Sequence, residues 1–246
     1  LSVSDGTLRN TASFSTGRST TLGAGGGSFL TDGGTTLTHT GNIGGTGSLT
    51  KTGAGILALT GNNTYVGGTS IKGGTVQVSG DGNLGDAAGA LSFNGGTLRN
   101  TANFNTSRAT TLNGSGGTFS TDSGTGLSHT GVIGGVGSLT KTGGGTLFVH
   151  GNHTYAGGTN IDGGTIEIFT DEGLGDASGA LSLDGGTLRS VSNFATARAT
   201  TLNAGGGTFT TSLGLVTHTG DIGGSGKLIK EDVATLVLAG NNSYSG

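Results

Sequence analysis

Residues 145–151 read GTLFVHG and residues 164–170 read GTIEIFT. Side chains alternate between two sides. Leu147 and Val149 point one way, Phe148 and His150 the other; Ile166 and Ile168 point in and Glu167 out. A period of two predicts short half-buried strands. Gly, Asn, Asp, Ser and Thr bound these runs, and such residues form turns. Glycine also permits positive φ at a corner without a Cβ clash. No sustained helical period occurs along the chain.

The pattern returns at a fixed interval. LSVSDGTLRNTASF begins at Leu1, LSFNGGTLRNTANF at Leu91 and LSLDGGTLRSVSNF at Leu181, a register of 90 residues. Late in the third copy one residue is lost: His39, His129 and His218 are spaced 90 and then 89, and Tyr65, Tyr155 and Tyr244 follow the same shift. The chain divides into long repeats 1–90, 91–180 and a shortened 181–246, within a single domain 1–246. Inside each lies a Gly-Thr-apolar unit whose spacings run 21, 28, 19 and 22. Units of this length suit one coil of a solenoid.

A unit of about 22 residues cannot bury a core alone. Stacked coils pair equivalent strands in parallel about 4.8 Å apart. The inward residues then form one apolar ladder: Leu8, Phe29, Leu57, Val76, Leu98, Phe119, Leu147, Ile166, Leu188, Phe209 and Leu236. Crossovers between parallel strands are right-handed. The expected fold is all-β, a right-handed parallel β-helix of about eleven coils and roughly 50 Å. The absence of proline fits, since proline removes a ladder donor.

Composition narrows the function. The 246 residues include 57 glycines and no cysteine, with 10% charged residues and a net charge of -3. Disordered chains are richer in charge and proline and poorer in Val, Ile and Leu. A near-neutral chain has no electrostatic footprint for nucleic acid or an anionic membrane. No apolar run approaches the ~20 residues that span a bilayer. Zero cysteine removes disulfides and thiol chemistry.

The segment GSLTKTGAGILALTGNNTYVGGTSIKGGTVQVSGDGNLG (47–85) resembles the autotransporter-associated β-strand repeat, also called the passenger-associated transport repeat. GSLTKTGGGTLFVHGNHTYAGGTNIDGGTIEIFTDEGLG (137–175) is equally similar. The shared pattern is small-Leu-x-Lys-x-Gly-x-Gly-x-Leu followed by Gly-x-Asn-x-Tyr-x-Gly-Gly-Thr. The third copy, GKLIKEDVATLVLAGNNSYSG (226–246), departs from it at Glu231, Asp232 and Val233. The recognisable motif covers a little under half of the chain. The resemblance implies a passenger domain of a type V secreted protein of a Gram-negative bacterium, threaded through a C-terminal outer-membrane barrel and displayed at the cell surface or released. The chain then reads as a piece of a stalk, with signal peptide and barrel elsewhere. The family repeat is associated with secretion and folding, and many such passengers are adhesins.

Several residues invite chemistry. GTGSLTKT (45–52) approaches the phosphate-binding pattern, but Thr50 stands at its second glycine and no helix follows. Lys51, Lys141 and Lys230 then read as exposed charges. His39, His129 and His218 resemble a ligand set, yet four coils, about 19 Å, would separate them. His150 and His153 occur in one copy only and lack a partner ligand. Asp81, Asp86, Asp171, Glu172 and Asp176 sit beside turns, where calcium is conceivable and backbone bonding is commoner. The acids are too scattered for a glycosidase pair, and no His–Asp pair is placed to activate a hydroxyl. No catalytic residue, metal or cofactor is expected, and no nucleic-acid or small-molecule partner. Arg9, Arg99 and Arg189, with Arg18, Arg108 and Arg198, form two rows that could make a surface contact. Asn62, Asn152 and Asn241 head Asn-x-Ser/Thr triplets, with internal stacking or turn bonds expected.

The expected function is a structural stalk that aids export and presents an adhesive region. Its partners would be flanking β-helix coils and the barrel of the parent chain. The alternative is a direct adhesin binding a matrix protein, a glycan or itself. A carbohydrate-active enzyme is a more distant reading, as is an ice-binding face, which needs Thr-x-Thr at every coil.

Overall fold

Runs of two to five residues between turns are too short to fold back on themselves, so each pairs with the coil before and after it. The computed structural model describes residues Leu1–Gly246. Its 31 strands form only parallel pairs, such as Thr75–Val78 between Ile56–Leu59 and Thr97–Asn100. The only helical segments are two short 3-10 turns, Asp81–Leu84 and Asp171–Leu174. The result is a parallel β-solenoid of eleven coils with three faces.

One face is an unbroken eleven-stranded sheet from Phe14–Thr16 to Ile222–Gly224. This is the third face, since its strands come last in the opening coils. The first face starts as Ser2–Val3, Thr20–Leu22 and Ile43–Gly45. It is interrupted by the loop 61–66 and the turn Asp81–Leu84, then resumes at Phe104–Thr106 and runs to Leu228–Glu231. The loop still stacks in order: the Thr64 N–H donates to Ile43 O, and the Asp86 N–H to Tyr65 O. The second face runs from Gly6–Asn10 to Ile133–Gly135. The loop 151–156 and the turn Asp171–Leu174 interrupt it, and it resumes at Phe194–Thr196.

A long repeat therefore contains eleven strands, one loop and one turn, thirteen segments at three to a coil. That is four and a third coils. Each long repeat begins one face further round the rod than the last. The same alternating stretch lies on the third face as Ile56–Leu59 and on the first as Thr146–Phe148.

This rotation corrects the single ladder. Leu57, Val76, Leu98 and Phe119 are consecutive partners on the third face. Leu147, Ile166, Leu188 and Phe209 are consecutive on the first. Leu8 and Phe29 pair on the second, where Leu236 later pairs with Val216. The breaks fall at the long spacing, 28 residues in the first two repeats and 27 in the third, which holds four segments instead of three. There Phe29 meets Lys51, Phe119 meets Lys141 and Phe209 meets Lys230. The apolar core survives because every face supplies inward residues: one cluster of 36 buried side chains runs from Val3 to Ile222.

Lys51 and Lys141 are buried, contrary to the exposed charges expected from sequence. Each ammonium turns into a corner and binds carbonyls that the bend leaves unpaired. Lys51 Nζ donates to Thr52 O at 2.7 Å, Gly53 O at 2.8 Å and Gly73 O at 3.2 Å. Lys141 repeats this with Thr142, Gly143 and Gly163. Burial lowers both pKa values to about 8, and the carbonyl cage keeps the proton on at neutral pH. The phosphate-loop resemblance ends here: residues 45–52 are the end of one strand, a short turn and the next strand, and the lysine faces inward.

Corners also need close backbone approach. Gly45, Gly135 and Gly224 have φ of 112°, 114° and 114°. A Cβ on any of them would lie 2.1–2.2 Å from the carbonyl oxygen of Leu22, Leu112 or Leu202. No other residue fits these positions.

Lys141→Ala removes three charge-assisted bonds and opens a cavity. It should cost about 3 kcal/mol or more, read as a lower denaturant midpoint. Lys141→Met restores packing but not the bonds, and should fall between the two.

Candidate functional site

The rows of arginines do not make a stripe. Arg9, Arg99 and Arg189 lie on the second, third and first faces because each repeat is rotated. Each meets a carboxylate: Arg9 Nη2 with Asp32 at 2.9 Å, Arg99 Nε with Asp122 at 2.7 Å and Arg189 Nη1 with Glu167 at 3.3 Å. The first two pairs hold Asp32 and Asp122 below the ordinary aspartate pKa through the hydrogen bond to arginine.

Arg108 and Arg198 are not surface residues at all. Both are buried, whereas Arg18 is exposed. Arg108 Nε and Nη2 reach the Asp81 carboxylate at 2.8 and 3.0 Å. Its guanidinium also donates to the carbonyls of Asp81, Gly85, Asp86 and Gly89. Arg198 holds Asp171, Gly175, Asp176 and Gly179 in the same way. A planar fork with five donors suits a turn crowded with carbonyls. Arginine thus occupies the place where a metal ion was conceivable. Asp86 and Asp176 instead accept the N–H of Ala88 and Ser178.

The histidines are separate structural corners. His39 Nδ1 donates to Gly41 O at 3.2 Å and Nε2 accepts from the Thr20 hydroxyl at 3.0 Å. His129 and His218 repeat this with Gly131 and Thr110, and with Gly220 and Thr200. Nowhere do three His, Cys, Asp or Glu side chains converge. The interior asparagine is one residue after the one expected: Asn62, Asn152 and Asn241 are exposed. Ile43 N–H donates to Oδ1 of the buried Asn63 at 2.8 Å, and Ile222 N–H to Oδ1 of its exposed counterpart Asn242 at 3.1 Å. In the second repeat His153 replaces this asparagine, with Ile133 N–H donating to its Nδ1 at 3.1 Å. Its Nε2 is buried without a partner.

One surface was not singled out from sequence. On the first face Asn105, Ser128, Phe148, Glu167, Arg189 and Thr210 are consecutive outward partners. The matching row of the first repeat reads Ser15, Thr38, Ala58, Gln77, Arg99 and Ser120. Beside it, His150 and Phe169 stand where the first repeat has Thr60 and Ser79. His150 stacks on Phe169 with ring centroids 3.9 Å apart, and Phe148 meets His150 edge-on at 5.8 Å. Glu167 accepts from His150 Nε2 at 3.0 Å and faces Arg189. Next to Phe148 lies a groove of 710 Å³, lined by Asn103, Asn105, Ser128, Thr146 and four glycines among others. The readable signal was divergence between copies that otherwise match.

A family model described as Passenger-associated-transport-repeat matches residues 49–78, 139–168 and 228–246. In an alignment 232 residues long that covers 84% of the chain, it is 41% identical to the "Adhesin BmaC autotransporter" of Brucella suis biovar 1 (strain 1330). The chain belongs to the autotransporter passenger family. The passenger segment spans 7% of the length of that relative. Family membership places it at the bacterial surface or in the surroundings, exported across the outer membrane. No solved structure matches it.

Two measurements test these corners. Burial lowers the pKa of His129 and His153 to about 4, and lowers those of His39 and His218. Between pH 6.5 and 4 the unfolded chain binds protons that the folded passenger does not. Stability is therefore full above pH 6.5 and falls as pH approaches 4, by about 1–3 kcal/mol for His153. His153→Asn should raise the melting midpoint at pH 5 and flatten its pH dependence. Arg108→Ala should strip hydrogen-exchange protection from residues 81–89 and cost about 3 kcal/mol, because Asp81 and the turn carbonyls lose their donor.

Proposed function

We propose that this passenger segment is a non-enzymatic stalk that helps its own export and holds an adhesive region away from the cell. The observation that carries this reading is the single core running through eleven coils, none of which has a core of its own. A coil gains apolar burial and backbone hydrogen bonds only by stacking on one already formed. Such a structure grows from one end.

Growth from one end suits a chain that emerges gradually through the outer-membrane barrel of its parent. Each added coil lowers the free energy of the exported part and opposes backsliding. The inward lysines, histidines and arginines add coil-to-coil bonds at the corners, so each coil docks in one register. The absence of cysteine removes disulfide loops that would obstruct threading. The relative's name as an adhesin supports the adhesive half of the reading.

The test places charge in the core. Leu147 and Ile166 are buried consecutive partners. Leu147→Asp with Ile166→Asp in the full-length protein should reduce surface display severalfold, measured by labelling intact cells. Display equal to wild type would overturn the proposal.

A further inference from the structure

We propose that the outward patch of the second repeat, on the first face, is a binding site for a neutral oligosaccharide. It consists of Phe148, His150, Glu167, Phe169 and the adjoining groove. This deepens the adhesive reading above by locating a ligand site within the segment itself.

The first argument is that the scaffold does not need these residues. Ala58 and Gln77 hold the equivalent positions on strands of the same register in the first repeat, and Thr60 and Ser79 those just beyond the strand ends. The rod forms with either set. The second repeat thus carries two phenylalanines, a histidine and a glutamate on the outward side, where they pack on one another and Glu167 is largely covered, although the stack of coils does not require them. Phe169 is 43% exposed, at a position the first repeat fills with serine.

A compensating change points the same way. Thr36 of the first repeat becomes Gly126 in the second. A Cβ on Gly126 would lie 2.8 Å from Cε2 of Phe148. Loss of that side chain lets the ring lie across the neighbouring strand, where it forms the wall of the groove.

The chemistry selects the ligand class. The groove lining bears hydroxyls, amides, backbone groups and ring faces, and no charged side chain. Sugars present apolar C–H faces for aromatic rings and hydroxyls for side chains that both donate and accept. The adjacent charges are compensated: Glu167 lies between His150 and Arg189, with Oε atoms 3.0 and 3.3 Å from their nitrogens. This leaves no free cation for a sialylated or sulfated chain. A peptide added as a strand needs an unpaired edge; the strands that carry Phe148 and Glu167 are paired on both sides, and the end strand Phe104–Thr106 has its outer edge against the turn Asp81–Leu84. A groove open along the face suits an extended chain of sugar rings.

The experiment presents neutral and acidic oligosaccharides on an array to the folded segment, then titrates the best ligand by calorimetry. The comparison variant carries Phe148→Ala, His150→Thr, Glu167→Gln and Phe169→Ser, the residues of the first repeat. A neutral oligosaccharide should bind wild type and bind the variant at least tenfold more weakly. Phe148→Ala alone should lose most of that affinity, as should Gly126→Thr, which removes the space for the ring. An unchanged circular dichroism spectrum and melting midpoint would certify the fold of each variant. The proposal is overturned if no neutral oligosaccharide binds, if the variants bind equally, or if acidic chains bind better than neutral ones. Patch-dependent binding to a matrix protein stripped of its glycans would overturn it in favour of a protein ligand. Surface display of the same variants separates the two proposals: normal display with lost binding concerns the groove alone, and lost display concerns the stalk.

Discussion

The strands on the faces of this rod find their backbone hydrogen-bond partners on adjacent coils. That requirement sets the rest. The faces are straight only where strands can run in register, so the chain must turn three times per coil, and each turn exposes carbonyls to the interior. Glycines such as Gly45 allow the backbone to close up at these corners. Where a bend still leaves oxygens unpaired, a cationic or ring side chain turns inward to meet them. Lys51, Arg108 and His39 are three versions of one solution. Their polarity belongs to the scaffold and not to a catalytic centre.

Strand alternation, parallel stacking and coil number were legible in sequence, because Leu147, Val149, Ile166 and Ile168 follow the period that a half-buried strand imposes. The rotation between repeats was present but unread. Spacings of 21, 19 and 22 are one coil each, whereas 28 is one coil and one further face. The polar interior was not legible in the same way. A lysine or arginine in a glycine-rich turn reads as solvated, and only the folded corner reveals carbonyls in need of a donor. The asparagine motif was read one residue early because alternation breaks in the loop 61–66.

Repetition and specificity occupy different positions along the same strands. Inward residues vary within apolar types, and the corner residues hardly vary, since both answer to the neighbouring coil. Outward residues make only side-chain pairs such as Arg99–Asp122, which the stack itself does not require. A position such as 148, phenylalanine where its counterpart is alanine, can change without disturbing the stack. In this passenger the separation leaves outward positions free to differ between copies while the stacking rules stay the same.

The extra third of a coil makes the passenger a screw rather than a flat-sided post. One sequence motif, carried by successive repeats, points in three directions and regains its first heading after thirteen coils, about 60 Å along the axis. A contact built from one repeat is thus never reinforced by its neighbour on the same side. What the rod gains is indifference to roll: a rod turning freely about its axis would offer the same motif to an approaching surface from any azimuth.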